Sequence, residues 1–100
     1  MKIELTILGY VADFLNGLSD ALRAKCLRHI ELFEEFGFSL SKTDLKKIHK
    51  SIWELRPRNI RILIGKAKGG MWAVHAFYKT GQKTPLKEIK LADKRLRELK

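Results

Sequence analysis

The chain is predicted to be an α+β domain of order β-α-α-β-β-β-α, a helical hairpin packed on a small antiparallel sheet and closed by a C-terminal helix. Three observations predict it. Apolar residues recur at helical spacing in two adjoining runs between Tyr10 and Gly37. The stretch from Ile52 to Tyr78 is rich in β-formers and broken by turn residues. Beyond Pro85 an apolar stripe runs through lysines and arginines. Two helices over one face of a sheet give a two-layer architecture.

Residues Lys2 to Leu8 alternate only weakly and read as a short first strand. From Tyr10 the pattern turns helical, with Val11, Phe14, Leu15 and Leu18 on one stripe. Ser19 offers an N-cap and Asp20 suits the positive end of the helix that follows. That second helix carries Leu22, Cys26, Ile30 and Phe33 on one face, and Gly37 is a natural stop. Phe38 to Lys50 is read as an irregular, lysine-bearing connection pinned by Leu45 and Ile48. Ile52 to Leu55 is a strand, with Pro57, Arg58 and Asn59 as a turn. Ile60, Ile62 and Ile64 mark the core face of the next strand, and Lys66 to Gly70 make a hairpin loop into Trp72–Tyr78. Thr84 is placed to cap a last helix with Pro85 in its first turn, burying Leu86, Ile89, Leu96 and Leu99.

At 100 residues and 11.6 kDa the chain has material for one modest core, so residues 1–100 are expected to be a single domain. Charge is the unusual property. Twenty-one Lys+Arg face 11 Asp+Glu, a formal charge of +10, which points to a polyanionic partner: nucleic acid or an acidic protein surface. Cys26 is the only cysteine, which excludes an intrachain disulfide and a cysteine-rich zinc site. With no HExxH, P-loop, GxGxxG or nucleophile elbow, no metal or cofactor is expected. No apolar run reaches membrane-span length and no signal peptide is visible, so a cytoplasmic location without membrane contact is expected.

Strand periodicity gathers the cations. With Trp53 and Leu55 turned to the helices, Glu54 and Arg56 take the other, open face, and Arg61 joins Arg56 there as an exposed side chain on the neighbouring strand. The third strand leaves two parities, one grouping His75, Phe77 and Lys79, the other grouping Trp72, Val74 and Tyr78; the first is preferred. Cleaving RNA without a metal needs a base for the 2′-hydroxyl, cations for the crowded phosphorane and an acid for the departing oxygen. Arg56 and Arg61 suit fork-like contact with phosphate, Lys79 suits a point charge or a proton-transfer group, and His75 and His49 are conventional acid–base alternatives. Blander readings stand beside these: Glu54 paired with Arg61, a structural histidine, and, for Lys42, Lys46, Lys47 and Lys50, a solvated face as readily as a rim that binds the nucleic-acid backbone.

Three segments taken together carry a resemblance: Ile52-Trp53-Glu54-Leu55-Arg56, Asn59-Ile60-Arg61-Ile62-Leu63, and His75-Ala76-Phe77-Tyr78-Lys79-Thr80-Gly81-Gln82-Lys83-Thr84-Pro85 ahead of a basic helix. The chain resembles the phage-derived, HigB-like branch of the RelE/ParE toxin superfamily over about nine-tenths of its length. The resemblance implies a RelE-like fold and the toxin of a type II toxin–antitoxin pair. It implies an mRNA interferase, an endoribonuclease that cuts mRNA on the ribosome without a metal. The positions that match the family's functional residues are Arg56, Arg61 and Lys79, with Lys83 as a backbone contact; His75 is a further catalytic candidate, and Lys50 and Arg58 further RNA-binding candidates, on residue type and charge alone. The implied partners are a cognate antitoxin of helix-turn-helix, DNA-binding type and mRNA on the ribosome, with operator DNA reached only through the antitoxin. Two other functions remain open on the same fold: a ParE-like inhibitor of DNA gyrase that is not a nuclease, and an inactive antitoxin-binding module.

Overall fold

Ser19 and Gly37 frame the longest helix as their chemistry requires. In the computed structural model, which describes residues 2–99, the Ser19 hydroxyl accepts from the Leu22 N–H at 3.3 Å, and Gly37 takes φ +58° just past the last turn. The elements in chain order are β1 (Leu5–Ile7), α1 (Gly9–Asn16), α2 (Asp20–Phe36), a 3₁₀ turn (Gly37–Ser39), β2 (Leu45–His49), β3 (Ile52–Leu55), β4 (Ile60–Ala67), β5 (Gly70–Tyr78) and α3 (Leu86–Glu98). The fold is α+β, as expected from the hydrophobic pattern.

The sheet holds five strands in the order β1-β5-β4-β3-β2. Four neighbouring strands form an antiparallel meander. β1 adds in parallel to β5, with Leu5 opposite Met71 and Ile7 opposite Ala73, so the sheet is mixed where the sequence suggested a purely antiparallel one. A second difference is β2. The segment read as an irregular connection forms a strand with Lys46 opposite Glu54 and Lys47 opposite Trp53. Adjacent lysines in Leu45–His49 break the alternation by which a strand is recognised, and lysine-rich short strands are how sheet edges are protected.

Two hydrophobic layers hold the sheet, one on each face. Val11, Leu15, Cys26, Ile30 and Phe33 from the hairpin pack on Leu55, Ile60, Ile62, Ile64 and Ala73. On the opposite face Ala92 and Leu96 of α3 pack on Ile52, Leu63, Val74 and Phe77. The face expected to be open is therefore largely covered by α3. Burying this much apolar surface, at roughly 25 cal/mol per Å², is what makes the helix stay. Gly65 records how closely it approaches: a Cβ there would stand 2.5 Å from Leu96 Cδ1 and 2.9 Å from the Ser51 carbonyl oxygen.

A bulge settles the parity of β5. Leu63 faces His75 but Ile64 faces Ala73, which leaves Val74 as an extra residue. Trp72 before the bulge, Val74 in it and Phe77 after it all reach the layer under α3. Both parities entertained for this strand are thus realised in part. The start of α3 also departs from expectation. Pro85 occupies the capping position without a side-chain hydrogen bond, Thr84 turns elsewhere, and Leu86 is 60% exposed instead of buried.

Candidate functional site

Glu54 is the centre of the site. Its position in β3, flanked by core residues, takes its carboxylate to only 2% exposure, where an isolated charge would be costly. It is compensated by three neighbours. Arg56 Nε lies 3.4 Å and Arg61 Nε 3.6 Å from Oε1, and the Thr84 hydroxyl donates to Oε2. The strand period expected to put Arg56 and Arg61 on one face does so, with Glu54 between them.

The two arginines differ in what remains free. Arg61 is 7% exposed, and one of its terminal nitrogens donates to the carbonyls of Arg58 at 2.8 Å and Ile60 at 2.9 Å. It thereby fastens the β3–β4 turn, where Arg58 holds φ +54°. Burial, followed by the neighbouring Arg56, lowers the Arg61 pKa, and Glu54 opposes that shift only in part. The expectation of an exposed strand arginine is corrected: adjacent strands and the 79–85 segment enclose it. Arg56 is half-buried and donates to the Lys42 carbonyl at 3.3 Å, while its Nε has close charge contact with Glu54 but no hydrogen bond.

Around this triad lies a groove of about 310 Å³ lined by Lys46, Lys47, Ile48, Glu54, Arg56, Gln82, Lys83, Thr84 and Ile89. A smaller cleft adjoins it, sharing Gln82, Lys83 and Thr84, and adds Arg61, Phe77 and Lys79. The 79–85 segment is the common wall. Its first residue is fixed by the Lys79 N–H donating to the Asn59 carbonyl at 2.7 Å, and its end by the Thr84–Glu54 contact. Both lysines on it are exposed at the rims.

The structure brings together Arg56, Arg61, Lys79 and Lys83 in these two depressions. It does not bring His75 there. The His75 ring is stacked on Phe77, with Nε2 2.8 Å from Glu88 Oε1 and Nδ1 3.2 Å from an Arg95 nitrogen that also donates to the Val74 carbonyl. Both ring nitrogens are occupied in tying α3 to β5. Lys50 is exposed in the β2–β3 turn and Arg58 in the β3–β4 turn; neither lines the groove. The alternative His49 is exposed at the end of β2 and also lies outside it.

Glu54, Thr84 and Gln82 belong to the site and were not singled out as functional from the sequence. The signal for Glu54 is its place two residues before Arg56 on the same strand face; Thr84 reads as a cap, and Gln82 carries no pattern at all. Lys46 and Lys47, read as a rim with a solvated face equally in view, line the groove. Chemically the arrangement can hold a polyanion: two lysine ammoniums, the free side of Arg56 and Lys83 surround one buried carboxylate whose charge is already offset. No cluster of three or more His, Cys, Asp or Glu side chains able to hold a metal ion occurs among the described residues. Among the described residues no helix is long and apolar enough to cross a membrane.

Compared with known proteins, residues 13–97 match the family model described as phage-derived protein Gp49-like (DUF891). No curated protein matches the chain.

Proposed function

The chain belongs to the Gp49-like family of phage-derived, toxin-like proteins, and on that premise we propose that it is the toxin of a type II toxin–antitoxin pair, of the HigB-like branch, acting as an mRNA interferase on the ribosome. One observation carries the reading: Arg56, Lys83, Lys46 and Lys47 converge on a groove beside Lys79, with Glu54 and Arg61 holding the floor. That is a seat for a bent RNA backbone. Arg56 and Lys83 contact the non-bridging oxygens of the scissile phosphate, where charge grows as the 2′-hydroxyl gives its proton to solvent water and its oxygen bonds to phosphorus while the P–O5′ bond breaks. Lys79 stands at the adjoining cleft and serves the departing 5′-oxygen as a proton donor or a fixed charge. Arg61 is a positioning residue that sets Glu54 and the β3–β4 turn. Because the cations are side chains, the proposed route is metal-independent. Antitoxin and operator DNA enter as partners of the same reading, the DNA only through the antitoxin.

The test is induction of the chain alone, with primer-extension mapping of transcripts, followed by purified protein on mRNA with and without ribosomes. The expected result is translation failing before DNA synthesis, with cuts that appear only when ribosomes are present. DNA breaks preceding any loss of translation would replace this reading with gyrase inhibition. Binding should also weaken steeply with salt, with a log–log slope of about −2 to −4 if some ~3–5 phosphates are neutralised.

A further inference from the structure

Tyr10, Phe36, Phe38 and Tyr78 are the exposed Phe, Trp or Tyr side chains among the described residues. Three of them are already engaged or stand away from the cleft. Phe36 closes α2, and Phe38 packs on Phe33 and Trp53 with ring centroids 5.4 and 4.9 Å away. Tyr10 carries the Arg95 guanidinium 3.6 Å from its ring centre. Tyr78 alone is followed directly by a residue that lines the cleft, Lys79.

The end of β5 sets these two side chains on opposite faces. Tyr78 pairs with Ile60, which belongs to the layer under the helical hairpin, and residues directly opposite share a face. Its ring leans on Phe14 of α1, with centroids 5.4 Å apart and planes at 57°, and 47% of the residue stays in solvent. Lys79 lines the cleft with Arg61 and Phe77 on the α3 side. Only one residue of strand, a rise of about 3.3 Å, lies between the two attachment points. The β3–β4 turn completes the corner. Its Asn59 carbonyl accepts from the Lys79 N–H at 2.7 Å, which brings the exposed Arg58 to the same end of the sheet.

We propose that Tyr78, backed by Phe14, is the platform on which an unpaired base of single-stranded RNA stacks, beside the phosphate held at Lys79. The occupant rests on the RNA reading above; the place of the platform rests on the geometry of β5. An RNA strand leaving the cleft at Lys79 turns over the end of the sheet. Arg58 and Lys79 meet its phosphates there, and Tyr78 meets its next base. Stacking asks only for a π-face, so this subsite adds affinity without sequence preference.

Charge and shape select this occupant. Arg58 and Lys79 are exposed, and among the described residues neither forms an ion pair. Asp13 is the one carboxylate of α1 to set against them. An apolar protein surface laid on Tyr78 would strip water from both cations and give nothing back. A second copy of this chain would bring the same cations together in a molecule already at +10. A nucleotide offers a flat ring and an anion at once.

The probe is a short unstructured oligoribonucleotide, 2′-O-methylated throughout so that it cannot be cut, titrated at fixed salt and read by fluorescence anisotropy. Tyr78→Ala is expected to raise Kd about tenfold, the worth of one stacked base. Tyr78→Phe, which keeps the ring, should bind as the parent chain does. Tyr78→Leu, which keeps only apolar bulk over Phe14, should bind as Tyr78→Ala does, so this pair decides even where the alanine chain is less stable. An abasic oligomer of the same length, phosphates without rings, should bind the parent and Tyr78→Ala alike. Tyr78→Leu binding as tightly as the parent, or Tyr78→Ala weakening the abasic oligomer equally, overturns the proposal. So does self-association of the parent chain that Tyr78→Ala abolishes while oligomer affinity holds, which gives the patch to a second copy. Ring-dependent binding in a chain that cuts no RNA keeps the platform and removes the nuclease reading; cutting by a chain whose binding ignores Tyr78 does the reverse.

Discussion

Arg61→Ala is expected to unfold this protein more readily, by an amount that separates a buried clamp from a surface cation. A strand arginine in solvent can be truncated for about 0.5 kcal/mol or less. Here the side chain is 7% exposed and donates to the Arg58 and Ile60 carbonyls at 2.8 and 2.9 Å. Losing both hydrogen bonds costs about 1 kcal/mol each, and truncation of the buried stem adds to that. One contribution opposes: burial and Arg56 already make the Arg61 charge unfavourable, so its removal returns part of the cost. The net expectation is about 2–3 kcal/mol, which in a domain of this size lowers Tm by roughly 10–20 °C. Arg61→Met, which keeps the stem and loses the donors, should recover about 1 kcal/mol of this. Thermal unfolding followed by circular dichroism reads both variants. A drop of less than about 4 °C for Arg61→Ala would mean the two carbonyls find other donors and the clamp is not one.

Other substitutions reach different layers. Gly65→Ala drives a Cβ against the backbone carbonyl oxygen of Ser51 and the buried Leu96 side chain, and should cost about 1–3 kcal/mol in a denaturant titration, with loosening of α3. Lys79→Ala should abolish RNA cleavage with the fold unchanged, since the side chain is exposed; retained cleavage in Lys79→Arg would mean a fixed charge, and loss would mean proton donation. Burial pushes the Cys26 thiol from 9.0 up to about 11. The native state then keeps a proton that the unfolded chain gives up, so stability is full below about pH 9 and falls as pH rises towards 11, by up to about 2–3 kcal/mol. Urea unfolding of Cys26→Ala should show a shallower decline over that window than the parent chain, and identical declines would remove the thiol as the cause.

The helical hairpin was legible because its signals are local. Ser19, Gly37 and a stripe of period 3.6 lie within the segment they define, and the structure places them as the pattern does. The convergence of Arg56 and Arg61 was legible for the same reason, through the period of two along β3 and β4. Three things were not. β1 joins β5 across most of the chain, a pairing that no local pattern encodes. β2 hides behind Lys46 and Lys47, whose charge suits an edge and defeats an alternation test. The covering of the far face by α3 depends on Gly65, Val74 and Leu63 offering a surface for Ala92 and Leu96, and that surface exists only after the sheet has formed. The site suffered accordingly. His75 was a plausible proton carrier on a bare face, but beneath a helix bearing Glu88 and Arg95 it is a tie. Thr84 was read as a local cap, and its hydroxyl instead answers a charge thirty residues earlier in the chain.

The parallel pairing of β1 with β5 has a consequence in time. Leu5, Thr6 and Ile7 are made long before Met71, Trp72 and Ala73, their only sheet partners among the described residues. A chain emerging from N- to C-terminus therefore carries its first strand unpaired while everything up to β5 is synthesised. The β4–β5 hairpin, closed by a two-residue turn at Lys68–Gly69, is the most local pairing and suits an early nucleus, whereas docking β1 closes a long loop and belongs late. In kinetic terms, truncating Leu5 should hasten unfolding with little change in folding rate, and truncating Leu63 should slow folding. The first strand made is the last to be needed.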